Sequence, residues 1–292
     1  MTHLRQPLEF GFFPSPAADD LATTLRLAAV ADAAGLELLT MQDNPYQRRF
    51  LDTWTLLSVI GARTERIRLS PNVANLPLRP PVVLAKSAAS LDVITGGRVE
   101  LGLGAGAFWD AVVAAGGPRR TPREAVDAIT EAIALIREFW RGDTVHFDGD
   151  FYSADGLHAG PKPAHDIPIW LGAIGPRMLR LTGSVADAWV PSMAFVPPSQ
   201  LAEKNQVIDD AAVAAGRDPA SVKRIYNING SFGQGSGLLE GGVRDWAEQL
   251  ADLTLGLGMS TFILATDDAD DLARFAGDVA PAVRELVAAE RG

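Results

Sequence analysis

The 292-residue chain has no cysteine, four histidines, three tyrosines and four lysines. Without thiols there is no disulfide, no thiolate metal site and no cysteine nucleophile. His3, His146, His158 and His165 fall in the N-terminal tail, a hairpin and a loop. No two of them have ligand spacing, so no metal site is expected. Lys86, Lys162, Lys204 and Lys223 lie outside the predicted strand exits, which argues against Schiff-base chemistry. No Gly-x-Ser-x-Gly elbow is present. Cationic charge is short as well: 26 Lys and Arg face 36 Asp and Glu, a net charge of −10. Such a chain is a poor partner for nucleic acid or anionic membrane surfaces. No apolar run approaches the ~18 residues of a membrane span, and Met1 to Pro7 lacks an apolar signal core. These features point to a cytoplasmic protein. By elimination, an organic cofactor must carry the chemistry if the protein is an enzyme.

What is present is a repeated strand–helix pattern. Its centre is Arg98 to Gly106, a strand carrying Val99, Leu101 and Leu103 that ends in Gly102, Gly104 and Gly106. Glycines at a strand end let backbone approach a ligand with no Cβ in the way. Alternation or apolar runs predict further strands at Leu8–Phe13, Leu36–Met41, Ile67–Leu69, Ile167–Gly172, Ala188–Ser192, Arg224–Asn229 and Ser260–Leu264. Helical spacing follows each one. Thr121-Pro122-Arg123-Glu124 reads as a capping box with proline at the first helical position. Thr144 to Tyr152 reads as an inserted hairpin turning at Asp148-Gly149, before the fifth strand. Gly230 to Gly242 reads as a mobile loop. Eight βα units without a composition break predict one domain over residues 1–292, a (β/α)₈ TIM barrel of the α/β class.

In such a barrel the chemistry sits where strands exit at the C-terminal face. Gly172 to Arg177 opens a helix, whose free N–H groups and dipole suit a phosphate. Asp43 and Asn44 leave the second strand together, as ligand contacts or as an Asx turn before Pro45. Arg48, Arg49, Arg79, Arg119, Arg120 and Lys162 are expected to rim this face and to receive an anionic group. Phe13, Tyr46, Trp109 and Met193 are candidates for an apolar substrate wall.

The run Ile67-Arg68-Leu69-Ser70, Asn75 to Pro81, Ser90-Leu91-Asp92 and Gly96-Gly97-Arg98 through Gly104 resembles the bacterial luciferase-like superfamily. Ile169-Trp170-Leu171-Gly172 and Ala186 to Pro191 extend the likeness over nearly the whole chain. The resemblance implies a commonly dimeric (β/α)₈ barrel using reduced FMN with oxygen, or coenzyme F420 for hydride transfer. It leaves FMN and F420 undecided. It implies a small organic substrate and a separate flavin reductase or F420-reducing enzyme as partner. Carried over by position, the cofactor ring lies against Asn72-Val73, a non-proline cis peptide in many relatives. Asn44, Asn75, Gly104, Ala105 and Gly106 line the cofactor, and Ala173, Ile174 and Gly175 take its phosphate. Two positions depart from the pattern. Asn44 stands where many relatives have histidine, which removes a group titrating near neutral pH. Ala107 stands where the F420-dependent sugar-phosphate dehydrogenases have glutamate, which makes that activity unexpected; Asp110 is near but not equivalent. The catalytic candidates are Asp43, Asn44 and Asp110. A reading of another class is a cofactor-binding barrel with little or no turnover.

Overall fold

The computed structural model describes residues 6–233, 235 and 237–292, so His3 lies outside the described residues. Eight strands form the frame: β1 Glu9–Phe13, β2 Leu38–Met41, β3 Arg68–Pro71, β4 Leu101–Gly104, β5 Ile169–Leu171, β6 Ala188–Trp189, β7 Lys223–Ile228 and β8 Thr261–Ala265. All their pairings are parallel, in the order β3-β2-β1-β8-β7-β6-β5-β4. Leu69 and Val99 bridge the two ends, with Leu69 N donating to Arg98 O at 2.8 Å and Glu100 N to Leu69 O at 2.9 Å. The sheet therefore closes into the expected barrel. A ninth short segment, Ala74–Asn75, continues β3 beyond a bulge and pairs with Leu103 and Gly104.

The principal helices outside are α1 Leu21–Ala34, α2 Thr53–Gly61, α3 Pro81–Thr95, α4 Pro122–Arg141, α5 Pro176–Val185, α6 Pro198–Ala214, α7 Val243–Leu257 and α8 Ala280–Arg291. Thr121 and Glu124 form the predicted capping box on α4. Gly35, at φ +81°, ends α1 in the left-handed conformation that glycine adopts without Cβ strain. The closing helical stretch is continuous from Ala269 to Arg291. Ala269–Arg274 runs into a wider turn over Phe275–Val279 before α8. The inserted hairpin pairs Thr144–Asp148 with Ser153–His158, so its second strand starts after Tyr152, where the prediction ended. Glu131 of α4 explains the shift. Its carboxylate accepts from the N–H groups of Asp150, Phe151 and Tyr152, which holds those residues in the turn. The flanks of the glycine-rich segment are paired rather than loose, Ser231–Phe232 with Glu240–Gly241.

Alternation along the strands separates two cores. Phe10, Phe12, Leu39, Leu69, Leu101 and Leu103 face the helices. Leu38, Trp170, Ala188, Val190, Ile225 and Ile263, with Phe13 and Val73, fill the barrel. At the N-terminal mouth the filling becomes ionic. Arg68 pairs with Glu9 at 2.8 Å and with Glu100, and Lys223 pairs with Glu9 at 2.7 Å. Burial pushes the Glu100 carboxyl up, although Arg68 opposes the shift.

Polar residues of the signature segments hold strands in place. Buried Asp92 accepts from Val99 N at 3.1 Å and Ala164 N at 2.8 Å. Arg98 donates to the carbonyls of Gly61, Thr64, Ile67 and Thr95. Asp32 of α1 accepts from the N–H groups of Glu65, Arg66 and Ile67, aiming the chain into β3. Burial alone would raise its pKa, but these three donors bring it below the ordinary value. An Asp32→Ala variant is expected to lose about 2 kcal/mol, the order of a hydrogen bond to a charged group. Because the folded-state pKa is depressed, this contribution is present above the unfolded carboxylate range near ~3.9. It is lost as pH falls through the folded value. Melting curves of both proteins from pH 3 to 8 should show a constant gap that closes only at the acid end.

Candidate active site

Strand β3 ends in a bulge at Asn72-Val73, whose peptide bond is cis, as the resemblance implied. The glycines of neighbouring strands make room for it. A Cβ on Gly102 would stand 2.3 Å from Pro71 O and 3.1 Å from Val73 Cγ1, and one on Gly104 would stand 2.8 Å from Val73 Cγ2. Gly172 completes the recess at 3.4 Å. These three strand-end glycines thus receive the protein's own valine. Gly106 is different. Its φ is +115°, and a Cβ there would meet the Trp109 ring at 2.5 Å and Pro77 at 2.8 Å.

Beneath the bulge the Asn72 amide donates to Asn227 Oδ1 at 2.7 Å and Thr40 Oγ1 at 3.2 Å, and Asn227 donates back to Asn72 Oδ1 at 3.2 Å. Asn227 and Thr40 were missed from sequence. The i, i+2 alternation of Lys223, Ile225 and Asn227 was the available signal, since Ile225 faces the barrel interior.

The loop after β2 splits into two roles. Asp43 is buried and turned away from solvent. It accepts from Asn75 N at 2.9 Å and takes the Arg79 guanidinium on both oxygens, at 2.6 and 2.7 Å. Arg79 also reaches Asp52 at 2.6 Å, whose other oxygen caps α2 through Thr55 N. Burial works against the Arg79 charge, yet the bonds to Asp43 and Asp52 hold its pKa above the ordinary value. Asp43 is therefore the anchor of the Asn75–Arg79 segment. Asn44 points elsewhere: its Nδ2 donates to Gln42 Oε1 at 2.9 Å and its Oδ1 accepts from the Tyr46 hydroxyl at 3.0 Å. The Tyr46 ring stands edge-on to Phe108, with centroids 6.4 Å apart.

Asn75 is 7% exposed, and its Oδ1 is buried with no hydrogen-bond partner. A buried unpaired acceptor costs about 1–3 kcal/mol, so it marks a place where a donor is missing. Past the next strand, Ala173 is buried and its carbonyl accepts from Trp189 Nε1 at 2.9 Å. Ile174 and Gly175 are exposed, and a Cβ on Gly175 would meet nothing within 4 Å. Helix α5 starts there with Pro176 at its first position and no side-chain cap.

The expected basic rim is weaker than the sequence suggested. Arg79 is bound in the buried pair, Arg49 pairs with Asp19 at 2.7 Å, and Arg119 pairs with Asp110. Arg120 lies over the Phe151 and Tyr152 rings at 5.3 and 5.4 Å. Lys162 belongs to the opposite, N-terminal face, because its loop leads into β5 and lines a cleft with Arg137 and Pro168. Arg48 remains exposed. The Asp110 side chain is 97% exposed. Phe13 lies in the barrel filling, while Met193 and Trp109 are half-buried near the mouth.

Residues 7–236 match the luciferase-like monooxygenase family. The chain belongs to this family. With it, the chain joins the flavin- and F420-type oxidoreductases. Among curated relatives, an F420-dependent glucose-6-phosphate dehydrogenase of Gordonia bronchialis is 28% identical over 254 residues, covering 84% of this chain and 74% of its own. A 5,10-methylenetetrahydromethanopterin reductase of Methanolobus tindarius is 35% identical over 214 residues, covering 72% of this chain and 61% of its own. Among solved structures, an F420-dependent secondary alcohol dehydrogenase superposes with a TM-score of 0.84 at 19% identity, covering 96% of this chain and 100% of that one. A long-chain alkane monooxygenase superposes at 0.83 with 13% identity, covering 96% and 92%. At those identities the likeness is one of fold. The luciferase-like fold places the bulge, Asn44, Asn75 and the start of α5 around one mouth. Among the described residues no helix is long and apolar enough to cross a membrane.

Proposed function

We propose that this luciferase-like protein is an F420-dependent oxidoreductase acting on a small organic substrate by hydride transfer. The observation that carries a flavin-type cofactor is the orphaned Asn75 Oδ1 beside the Val73 bulge. A flavin or deazaflavin ring has an edge N–H to offer such an acceptor, and the glycine-backed valine gives it a flat apolar support. The uncapped start of α5, with Ala173, Ile174 and open Gly175, suits the phosphate. Deazaflavin is preferred over FMN because the relatives from Gordonia and Methanolobus are, by name, an F420-dependent dehydrogenase and a methanopterin reductase.

The bound cofactor supplies the two electrons as hydride; the chain binds, orients and excludes water. In this reading Asn72, Val73, Asn75 and Gly104 to Gly106 line the ring, and Tyr46, Trp109, Met193 and Phe13 form the apolar side of the substrate space. Asp110, exposed and paired with Arg119, has no place in the chemistry, and Asp43 acts by holding Asn75. Homodimer formation is proposed through the exposed Val83 and Ile94 of α3, 59% and 69% accessible. A separate reductase in the cytoplasm would return the cofactor to its reduced state.

An FMN-dependent oxygen insertion is the second reading, favoured by the absence of a titrating group at Asn44. Fluorescence titration of the protein with F420 and with FMN, each oxidised and reduced, separates the two. Micromolar or tighter F420 binding with FMN ignored is expected, and Asn75→Ala should weaken it about tenfold, the order of one hydrogen bond. Preference for reduced FMN would move the assignment to a monooxygenase. Binding of neither would remove the cofactor reading.

A further inference from the structure

Resting on that reading, we propose that Gln42, Asn44 and Tyr46 form a neutral, oriented donor edge that binds the oxygen of a conjugated carbonyl substrate, whose carbon–carbon double bond is the one reduced. The Asn44 amide is held at both ends, Oδ1 by the Tyr46 hydroxyl and one Nδ2 hydrogen by Gln42 Oε1. The Gln42 backbone is fixed to the start of α2, since its main-chain carbonyl accepts the Thr53 hydroxyl at 2.6 Å. Turning the amide by itself would set Oδ1 against Gln42 Oε1, so the Gln42 bond fixes its direction. Its second Nδ2 hydrogen has no acceptor among the described residues, which makes this half-buried group a donor.

Among the described residues the side-chain partners of Asn44 are the Gln42 amide and the Tyr46 hydroxyl, with no histidine between them. Burial, followed by the charge of Asp43, pushes the Tyr46 hydroxyl further up. Asp43 and Asp52 are both engaged by Arg79. Oxidation of an alcohol requires a base for the hydroxyl proton, and the Asn44 amide cannot serve as one. Reduction of a conjugated carbonyl does not. A hydride from the reduced deazaflavin forms the new C–H bond at the β-carbon, and the π electrons move toward oxygen, where the Asn44 N–H meets the developing charge. A water proton then forms the second C–H bond at the α-carbon. One C=C becomes a single bond and one reduced cofactor is oxidised. The edge-on Tyr46 and Phe108 rings offer the flat, unsaturated skeleton an apolar wall.

Cyclohex-2-enone is the probe. Mixed with excess protein lacking cofactor, its carbonyl stretch is expected to move to lower frequency, and the shift should vanish in Asn44→Ala. In Asn44→His the shift should become pH-dependent near histidine's ordinary value of about 6.5, while the wild type stays flat from pH 6 to 8. With reduced F420, enone reduction should exceed cyclohexanol oxidation by the oxidised cofactor at least ~100-fold, and Asn44→Ala should slow it by a similar factor. An identical carbonyl shift in wild type and Asn44→Ala overturns the proposal, as does cyclohexanol oxidation as fast as enone reduction. The two levels separate cleanly. An Asn44-dependent shift without F420 binding overturns the cofactor reading and supports the donor edge; F420 binding without that shift overturns the donor edge alone.

Discussion

Gly102→Ala is expected to destabilise the protein by about 3 kcal/mol, at the upper end of ordinary overpacking. For a chain of this length that is roughly a 5 °C fall in Tm. The added methyl would lie 2.3 Å from the carbonyl oxygen of Pro71, and that oxygen is backbone. It moves only if β3 and the bulge after it move, and their bridge at Leu69–Val99 closes the barrel. Neighbouring glycines supply a graded comparison. A methyl at Gly104 meets Val73 Cγ2 at 2.8 Å, a side chain able to rotate, and at Gly172 the contact is an ordinary 3.4 Å. At Gly175 it meets nothing, at a φ of −80° that any residue adopts. The order of destabilisation by alanine should therefore be Gly102, Gly104, Gly172, Gly175, with the last close to zero. Thermal melts of the four variants decide this, and a Gly102 variant no weaker than the Gly172 one would show that the recess is slack. Cofactor affinity should follow the same order from Gly102 to Gly172, because the displaced group is the floor of the proposed ring site.

Arg79→Met should cost about 3–5 kcal/mol, the usual penalty for leaving one member of a buried ion pair without its partner. Asp43 has 1% of its side chain accessible and takes two of the Arg79 bonds, so water cannot replace the guanidinium without opening the loop. The loss would spread to the site, since the same carboxylate holds Asn75 N at 2.9 Å. Asp43→Asn combined with Arg79→Met should recover a large part of the stability. The neutral amide can still accept from Asn75 N, and no buried charge remains. Denaturant melts of the two single variants and the double variant form the cycle. Equal loss in Arg79→Met and in the double variant would mean that Asp43 is not the group Arg79 neutralises. Arg79 also reaches Asp52, a contact the cycle leaves common to both Arg79 variants.

Much of the fold was legible because strand and helix periodicities are local. The Thr121 capping box, the Gly35 helix end and all eight barrel strands follow from residues a few positions apart. The differences arise beyond that range. The hairpin turn was misplaced because Glu131, about twenty residues earlier, captures the N–H groups of Asp150 to Tyr152. Lys162 lies on the N-terminal face and not on the expected rim, because its loop leads from the inserted hairpin into β5.

The site was legible as a set of positions and not as a set of contacts. Composition and motif order alone determined a cysteine-free, acidic, eight-unit barrel with glycine-rich strand exits, since these are properties of the covalent chain. Only the tertiary structure decided what each polar residue faces. It turned Asp43 inward to Arg79, joined Asn72 to Asn227 across 155 positions, and left Asn75 Oδ1 without a donor. It also filled the recess at Gly102 and Gly104 with Val73. The physical reason is range. Backbone preferences act over a few residues, whereas an ion pair or an amide pair depends on where closure of the barrel brings distant strands together.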